Sequence, residues 1–198
     1  MELVLDDARR MGWQAATEIA LGDLYADGSP FGLCSRGALK RAVSAWEDLG
    51  YTPMVGLETE AFIFQRDEDG IWRPYDTPGA FVYGTGPAHA AGIPVESMNG
   101  EYDNGQFELT MRFDHAVKAC DDAFLMRTMA REIGLKKGLL LTFLPKPVPD
   151  RGGSGLHVNF SFVDKSGQNA IAPEGELSDV AKHAVAGLIH HHPALAGL

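Results

Sequence analysis

Three stretches of the chain carry side chains able to hold a divalent cation. The first, Val55-Gly56-Leu57-Glu58-Thr59-Glu60-Ala61-Phe62-Ile63-Phe64, alternates in character. A period of two puts Glu58 and Glu60 on one face of a strand, with Leu57, Ala61 and Ile63 behind. Like charges two residues apart repel, and burying either carboxylate unpaired costs several kcal/mol. A divalent cation removes that cost. The second stretch reads N-G-E-Y-D-N-G-Q-F-E-L-T-M-R from Asn99 to Arg112. Glu101 and Glu108 bracket a Gly-Gln turn; Gln106, Glu108, Thr110 and Arg112 then point one way, and Phe107, Leu109 and Met111 the other. In the third, Gly152 to Phe162, the residues His157, Asn159 and Ser161 share a face and Leu156, Val158, Phe160 and Phe162 form an apolar back. Taken singly, each stretch has an ordinary reading: a charge on the wet side of a half-buried strand, or a hydrogen-bonded core histidine. Taken together, the polar faces offer four carboxylates and one imidazole. Hard oxygen donors with a single nitrogen suit Mg²⁺ or Mn²⁺, whereas zinc favours more His or Cys.

Composition excludes several other classes. The chain has 198 residues, 45% of them hydrophobic, enough for one domain with a real core. A formal charge of −10 argues against nucleic acid or an anionic membrane surface as partner. The two cysteines, Cys34 and Cys120, are far apart and read as reduced, partly buried thiols. No apolar run approaches the ~20 residues of a membrane span, and the acidic start Met-Glu-Leu-Val-Leu-Asp-Asp is unlike a signal peptide; the cytoplasm is the expected location.

The elements that must position these residues follow from pattern. Residues 1–16 carry no clear period and read as a lead-in segment that packs on something else. Thr17–Tyr25 has strand character. Ser35 is the expected N-cap of a helix to Leu49, with Leu39, Val43 and Trp46 inside and Gly50 closing it. Val55–Gln65 is the first acidic strand; a turn over residues 66–70 and a return strand Ile71–Tyr75 follow. Residues 77–94 are rich in Gly and Pro and read as loop. Asp114 is the expected cap of a second helix with a buried stripe Val117, Cys120, Phe124 and Met129, ended by Gly134. An apolar strand Leu139–Phe143 precedes the His157 strand. Ser178 caps a last helix with Val180, Ala184, Leu188 and Ile189 inside. His190, His191 and His192 point in different directions on that helix, so they are read as complementing its C-terminal dipole, not as metal ligands.

The motifs G-L-E-T-E-A-F, E-Y-D-N-G-Q-F-E, L-P-K-P and G-G-S-G-L-H-V-N-F-S occur in that order, and through them the chain resembles the glutamine synthetase family from about Gly22 to Leu198. The resemblance implies an α/β (α+β) domain: a curved, mainly antiparallel sheet that holds metals, with helices on its outer face. Members are longer, so residues 17–198 are expected to be a partial catalytic domain. By the same resemblance Glu60, Glu101 and Glu108 match one metal site, and Glu58 with His157 match a second whose remaining glutamate would lie beyond Leu198. Two or more Mg²⁺ or Mn²⁺ ions, with ATP as co-substrate, would serve formation of an acyl phosphate on glutamate and its capture by ammonia. Glu101 would also take the proton of the incoming ammonium. Glu96, Phe113, Asn159 and Ser161 match nucleotide contacts, and Gly152 and Gly153 match the turn that binds substrate glutamate. Asn159 stands where well-known ammonia-using members carry histidine, and Met98-Asn99-Gly100 replaces their histidine-rich approach to Glu101. A larger amine therefore remains an alternative acceptor, and a non-catalytic metal- or nucleotide-binding homologue an alternative class. The family also implies a homo-oligomer, with a neighbouring subunit's loop completing each site, small-molecule substrates, and a helix before the second acidic motif for which residues 86–93 leave no room.

Overall fold

A computed structural model of the chain describes residues 2–75 and 92–195. The short 86–93 connection therefore lies almost wholly outside the described residues. The spine is a 16-residue strand, β4 (Tyr51–Arg66). Its odd-numbered residues from Pro53 to Ala61 are buried and the even-numbered ones between them are not, as the period of two requires. Along one edge β4 pairs with β10 (Leu156–Asp164) and then β9 (Leu139–Thr142). Along the other it pairs with β8 (Asp114–His115), β7 (Gln106–Met111) and β5 (Trp72–Pro74). Phe62 faces both Gln106 and Thr142, which identifies the two edges. Strand β6 (Val95–Gly100) extends the sheet beyond β7, and every pairing is antiparallel.

Helices cover the odd face of β4. Val55, Leu57, Leu109, Met111, Ile93 and Val95 pack on Ala116, Ala119, Ala123, Leu125, Met126 and Met129 of α2 (Ala116–Lys136). Alanine at three positions lets the helix sit close to the sheet. Leu39 and Val43 of α1 (Ser35–Asp48) complete this layer. The expected curled antiparallel sheet with helices on one face is thus what the chain builds. Residues 2–10, read from sequence as a lead-in without period, form β1 (Glu2–Arg10), which pairs with β2 (Glu18–Ala26) and, through it, β3 (Ser29–Pro30) in a separate small sheet. Gly22 is required there, since a Cβ would meet the Val4 carbonyl oxygen at 2.2 Å.

Several local expectations are corrected. Cys34, not Ser35, caps α1, its Sγ accepting from Gly37 N at 3.4 Å. His115 is the cap residue of α2, and the Asp114 carboxylate instead accepts from His115 N at 2.7 Å and pairs with Lys118 at 3.1 Å. That helix runs past Gly134 to Lys136, with Gly138 in the left-handed conformation after it. Its buried face keeps Met129 and half-buried Cys120 of the predicted stripe but not Phe124, which is 58% exposed, while Asp121 and Asp122 are buried. Ion pairs explain the rotation. Arg36 grips Asp121 at 2.9 Å and Asp23 at 2.8 Å, Lys40 reaches Asp23 at 2.7 Å, and Asp122 meets Arg9 and, at 2.6 Å, Lys118. The network ties β1 and β2 to both helices. On α3 (Asp179–Leu195) only Ala181 is buried among the described residues; of the predicted inner residues Ile189 is exposed, and Leu188, 44% exposed, lines an open cleft with α1 and β10. No described helix is long and apolar enough to cross a membrane.

Asp122 is fully buried between two cations. Its replacement by alanine removes a charged hydrogen-bond partner from each, and D122A is expected to lower unfolding free energy by about 2 kcal/mol, checked by urea denaturation against Asp114→Ala, whose more exposed pair is worth about 0.5 kcal/mol.

Candidate metal and nucleotide site

Antiparallel register brings the even face of β4 together with its neighbours. His157 lies opposite Glu58, Asn159 opposite Gly56 and Ser161 opposite Met54. On the other side Glu108 lies opposite Glu60 and Thr110 opposite Glu58. Directly paired residues share a face, so Glu60 and Glu108 form a like-charged cross-strand pair, which alone is destabilising. Glu58 is held from two positions: His157 Nδ1 lies 3.2 Å from its Oε2, and Asn159 Nδ2 donates to its Oε1 at 2.8 Å. Ligand atoms of Glu58, Glu108 and His157 all lie within 4.8 Å of one another. Trans ligands of an octahedral ion stand about 4.2 Å apart, twice the ~2.1 Å Mg–O distance. At most one pair of the three donors can be trans, so a shared cation would draw the other pairs toward the cis spacing of about 3.0 Å.

Glu60 faces the same space but is turned to other partners. Its Oε2 accepts from Gly155 N and from Gln106 Nε2, each at 3.1 Å. Glu101 follows β6 in the turn, exposed, with its backbone N–H on the Gln106 carbonyl at 3.0 Å. Its charge reaches Glu108, so all five side chains act in one electrostatic field. Farther along the same face, Phe113 is 64% exposed beside Gly56, where a Cβ would lie 3.5 Å from the Phe113 Cβ. Ser161 accepts from Asn169 Nδ2 at 3.4 Å. Glu96 is set apart: it is exposed in a bulge of β6, two strands away from β4, where Val95 pairs with Met111 and Ser97 with Thr110.

The glycine turn is built against this site. Gly152 N donates to Asp103 Oδ2, and a Cβ at Gly152 would lie 2.8 Å from that oxygen. The carboxylate that the Gly152 N–H approaches is thus the chain's own Asp103, which also lies 3.8 Å from Arg151. Gly153 O accepts from Gln106 Nε2 at 2.9 Å, and a Cβ at Gly155 would lie 3.1 Å from Glu60 Oε1. Sequence reasoning gave no role to Gln106, Asp103 or Gly155. For Gln106 the signal was present, since alternation already placed it on the acidic front of its strand. Asp103 and Gly155 sit in turns, where no period exists to read.

Comparison with known proteins agrees with this geometry. The family model described as glutamine synthetase, catalytic domain, matches residues 85–198. A γ-glutamylethanolamide synthetase from Streptomyces coelicolor is 33% identical over 90% of this chain and 43% of its own. A glutamine synthetase from Halobacterium salinarum is 28% identical over 87% of this chain and 42% of its own. Among solved structures, one titled GmaS/ADP complex superposes with a TM-score of 0.84 at 25% identity, over 96% of this chain and 48% of that one. The chain thus spans less than half the length of these proteins.

Burial, then the charges of Glu58, Glu101 and Glu60, push the Glu108 carboxyl above its ordinary range, with His157 opposing. The folded state therefore binds a proton more readily than the unfolded one, and stability falls as pH rises through the raised value. Glu108→Gln is expected to raise the urea midpoint at pH 7, and the gain should vanish once pH drops below the ordinary carboxylate value. Added Mg²⁺ or Mn²⁺ should stabilise the parent chain more than the variant in the same titration.

Proposed function

The chain belongs to the glutamine synthetase catalytic-domain family, and from that premise we propose that the protein containing it joins ammonia to the γ-carboxyl of L-glutamate at the expense of ATP. One observation supports the reading above the others: Glu58, Glu60, Glu108 and His157, drawn from three strands, converge on one sheet face with Glu101 at its rim. Glu108, which the resemblance joins to Glu60 and Glu101, lies close enough to Glu58 and His157 for these three to hold one Mg²⁺ or Mn²⁺, and Glu60 with Glu101 would contribute to a second. When bound, such ions screen the repulsion between the γ-phosphoryl group of ATP and an attacking carboxylate.

The remaining steps fall to the chain's own residues. Asn159 and His157 hold Glu58 in place from β10. The exposed Phe113 ring beside Gly56 offers a surface on which a purine stacks, with Ser161 and Asn159 close along the same face. Glu96 would reach the nucleotide from the outer strand. The loop at Gly152 and Gly153 would bound the amino-acid pocket. Glu101, exposed at the rim, would attract an ammonium ion and accept its proton before attack on the acyl phosphate. The full-length protein would be a homo-oligomer acting on small molecules.

A second reading, γ-glutamylation of a larger amine, is favoured by the ethanolamide-forming relative. The full-length protein, assayed with ATP, Mg²⁺ and glutamate, is expected to release phosphate when ammonia is added. Release with ethanolamine or putrescine but not ammonia would establish the second reading, and release with none of them would leave a metal- or nucleotide-binding homologue. Glu101→Gln is expected to lower kcat by about 100-fold or more with a smaller change in the ATP KM. The 198-residue chain alone is expected to show no turnover in the same assay.

A further inference from the structure

Gln106 is one of four buried polar or charged side chains among the described residues, at 7% exposure. Both of its near partners are acceptors: Glu60 Oε2 at 3.1 Å and the Gly153 carbonyl at 2.9 Å. The amide nitrogen must therefore face them, since only that end of the group donates. One NH₂ group thus spans from an acidic residue of β4 to the loop 152–155. Its backbone is fixed independently by Gln106 N on Asp103 O at 3.0 Å and by pairing with Phe62. The loop's other bonds are Gly152 N on Asp103, Ser154 N on Pro145 O at 2.8 Å, Gly155 N on Glu60 Oε2 at 3.1 Å, and the Gly155 carbonyl, which accepts from Glu60 N at 3.0 Å. Two of the side chains that restrain this loop, Glu60 and Gln106, therefore depend on where the Glu60 carboxylate sits.

We propose that Gln106 is a positioning residue that couples a divalent cation at the acidic face to the order of the glycine loop. A cation on Glu58, Glu108 and His157 relieves the repulsion that Glu108 exerts on Glu60 across the strands; the Glu60 carboxylate then holds the amide, and the amide holds the Gly153 carbonyl. By linkage, a ligand that orders the loop strengthens cation binding to the same extent. The inference rests on the ligase reading only through the cation, and it makes cation binding a condition for closing the amino-acid pocket.

The test measures Mn²⁺ binding to the full chain by electron paramagnetic resonance, and amide hydrogen exchange at Gly153 and Ser154 with and without Mn²⁺. Neither readout needs turnover, and neither amide touches Glu60 directly. In the parent chain Mn²⁺ should slow exchange at these two amides about fivefold, because the existing Gln106–Gly153 bond opens less often. In Gln106→Leu and Gln106→Glu, Mn²⁺ should still bind while exchange slows less than about twofold. Equal slowing in parent and variants would overturn the proposal, as would Mn²⁺ binding to the parent with no slowing at all. Failure of the parent chain to bind Mn²⁺ would instead remove the cation site itself, and the coupling with it. Amides of β4 and β9 report whether a variant folds, and Q106E keeps the buried shape if Q106L does not.

Discussion

Repulsion among carboxylates that the sheet register forces together is the constraint on which the rest of this structure turns. Glu60 lies opposite Glu108, and Glu58 is one pleat away on the same face of the same strand. Hydrogen bonds from Gly155, Gln106 and Asn159 and an imidazole from His157 absorb part of that repulsion. Glu108 accepts no such side-chain bond among those described, and its carboxyl is the one displaced upward. A sheet that gathered these groups with no cation to take up would carry a standing cost with no return.

The opposite face shows what holds the acids in place. An apolar layer of Val55, Leu57, Leu109 and Met111 against the alanines of α2 fixes the register of β4 and β7. A slip of one residue would turn the whole apolar set to solvent and scatter the acidic one. Core packing and site assembly are therefore a single event in this fold. Ion pairs through Arg36 and Asp122 extend that coupling to the small sheet, so the charge-bearing helix faces are structural rather than solvated.

Much of the sheet was legible because β4 and β7 obey a strict period of two, and each of their acidic residues falls on the predicted side. The same period placed His157 and Asn159 on one face of their strand, and their position beside Glu58 came only from the structure. Helix faces were less legible. On α2 the large residues Phe124 and Val117 resemble a buried stripe, but salt bridges draw Asp121 and Asp122 inward instead. Hydropathy has no means of seeing a charge whose partner lies some 85 residues away. Residues 2–10 failed for a related reason: that strand is defined by pairing with β2 and not by its own alternation.

Strand β10 carries His157 and Asn159 on its front and ends the order β10-β4-β7-β6, so one of its backbone edges has no strand partner in that sheet among the described residues. On its back Leu156 and Val158 are more than half exposed, and α3 presents Leu188 and Ile189 nearby in the chain without cover. An open ladder edge combined with an oily face is a template for strand addition. The segment that delivers the imidazole thus couples the acidic front to an oily back and an open ladder.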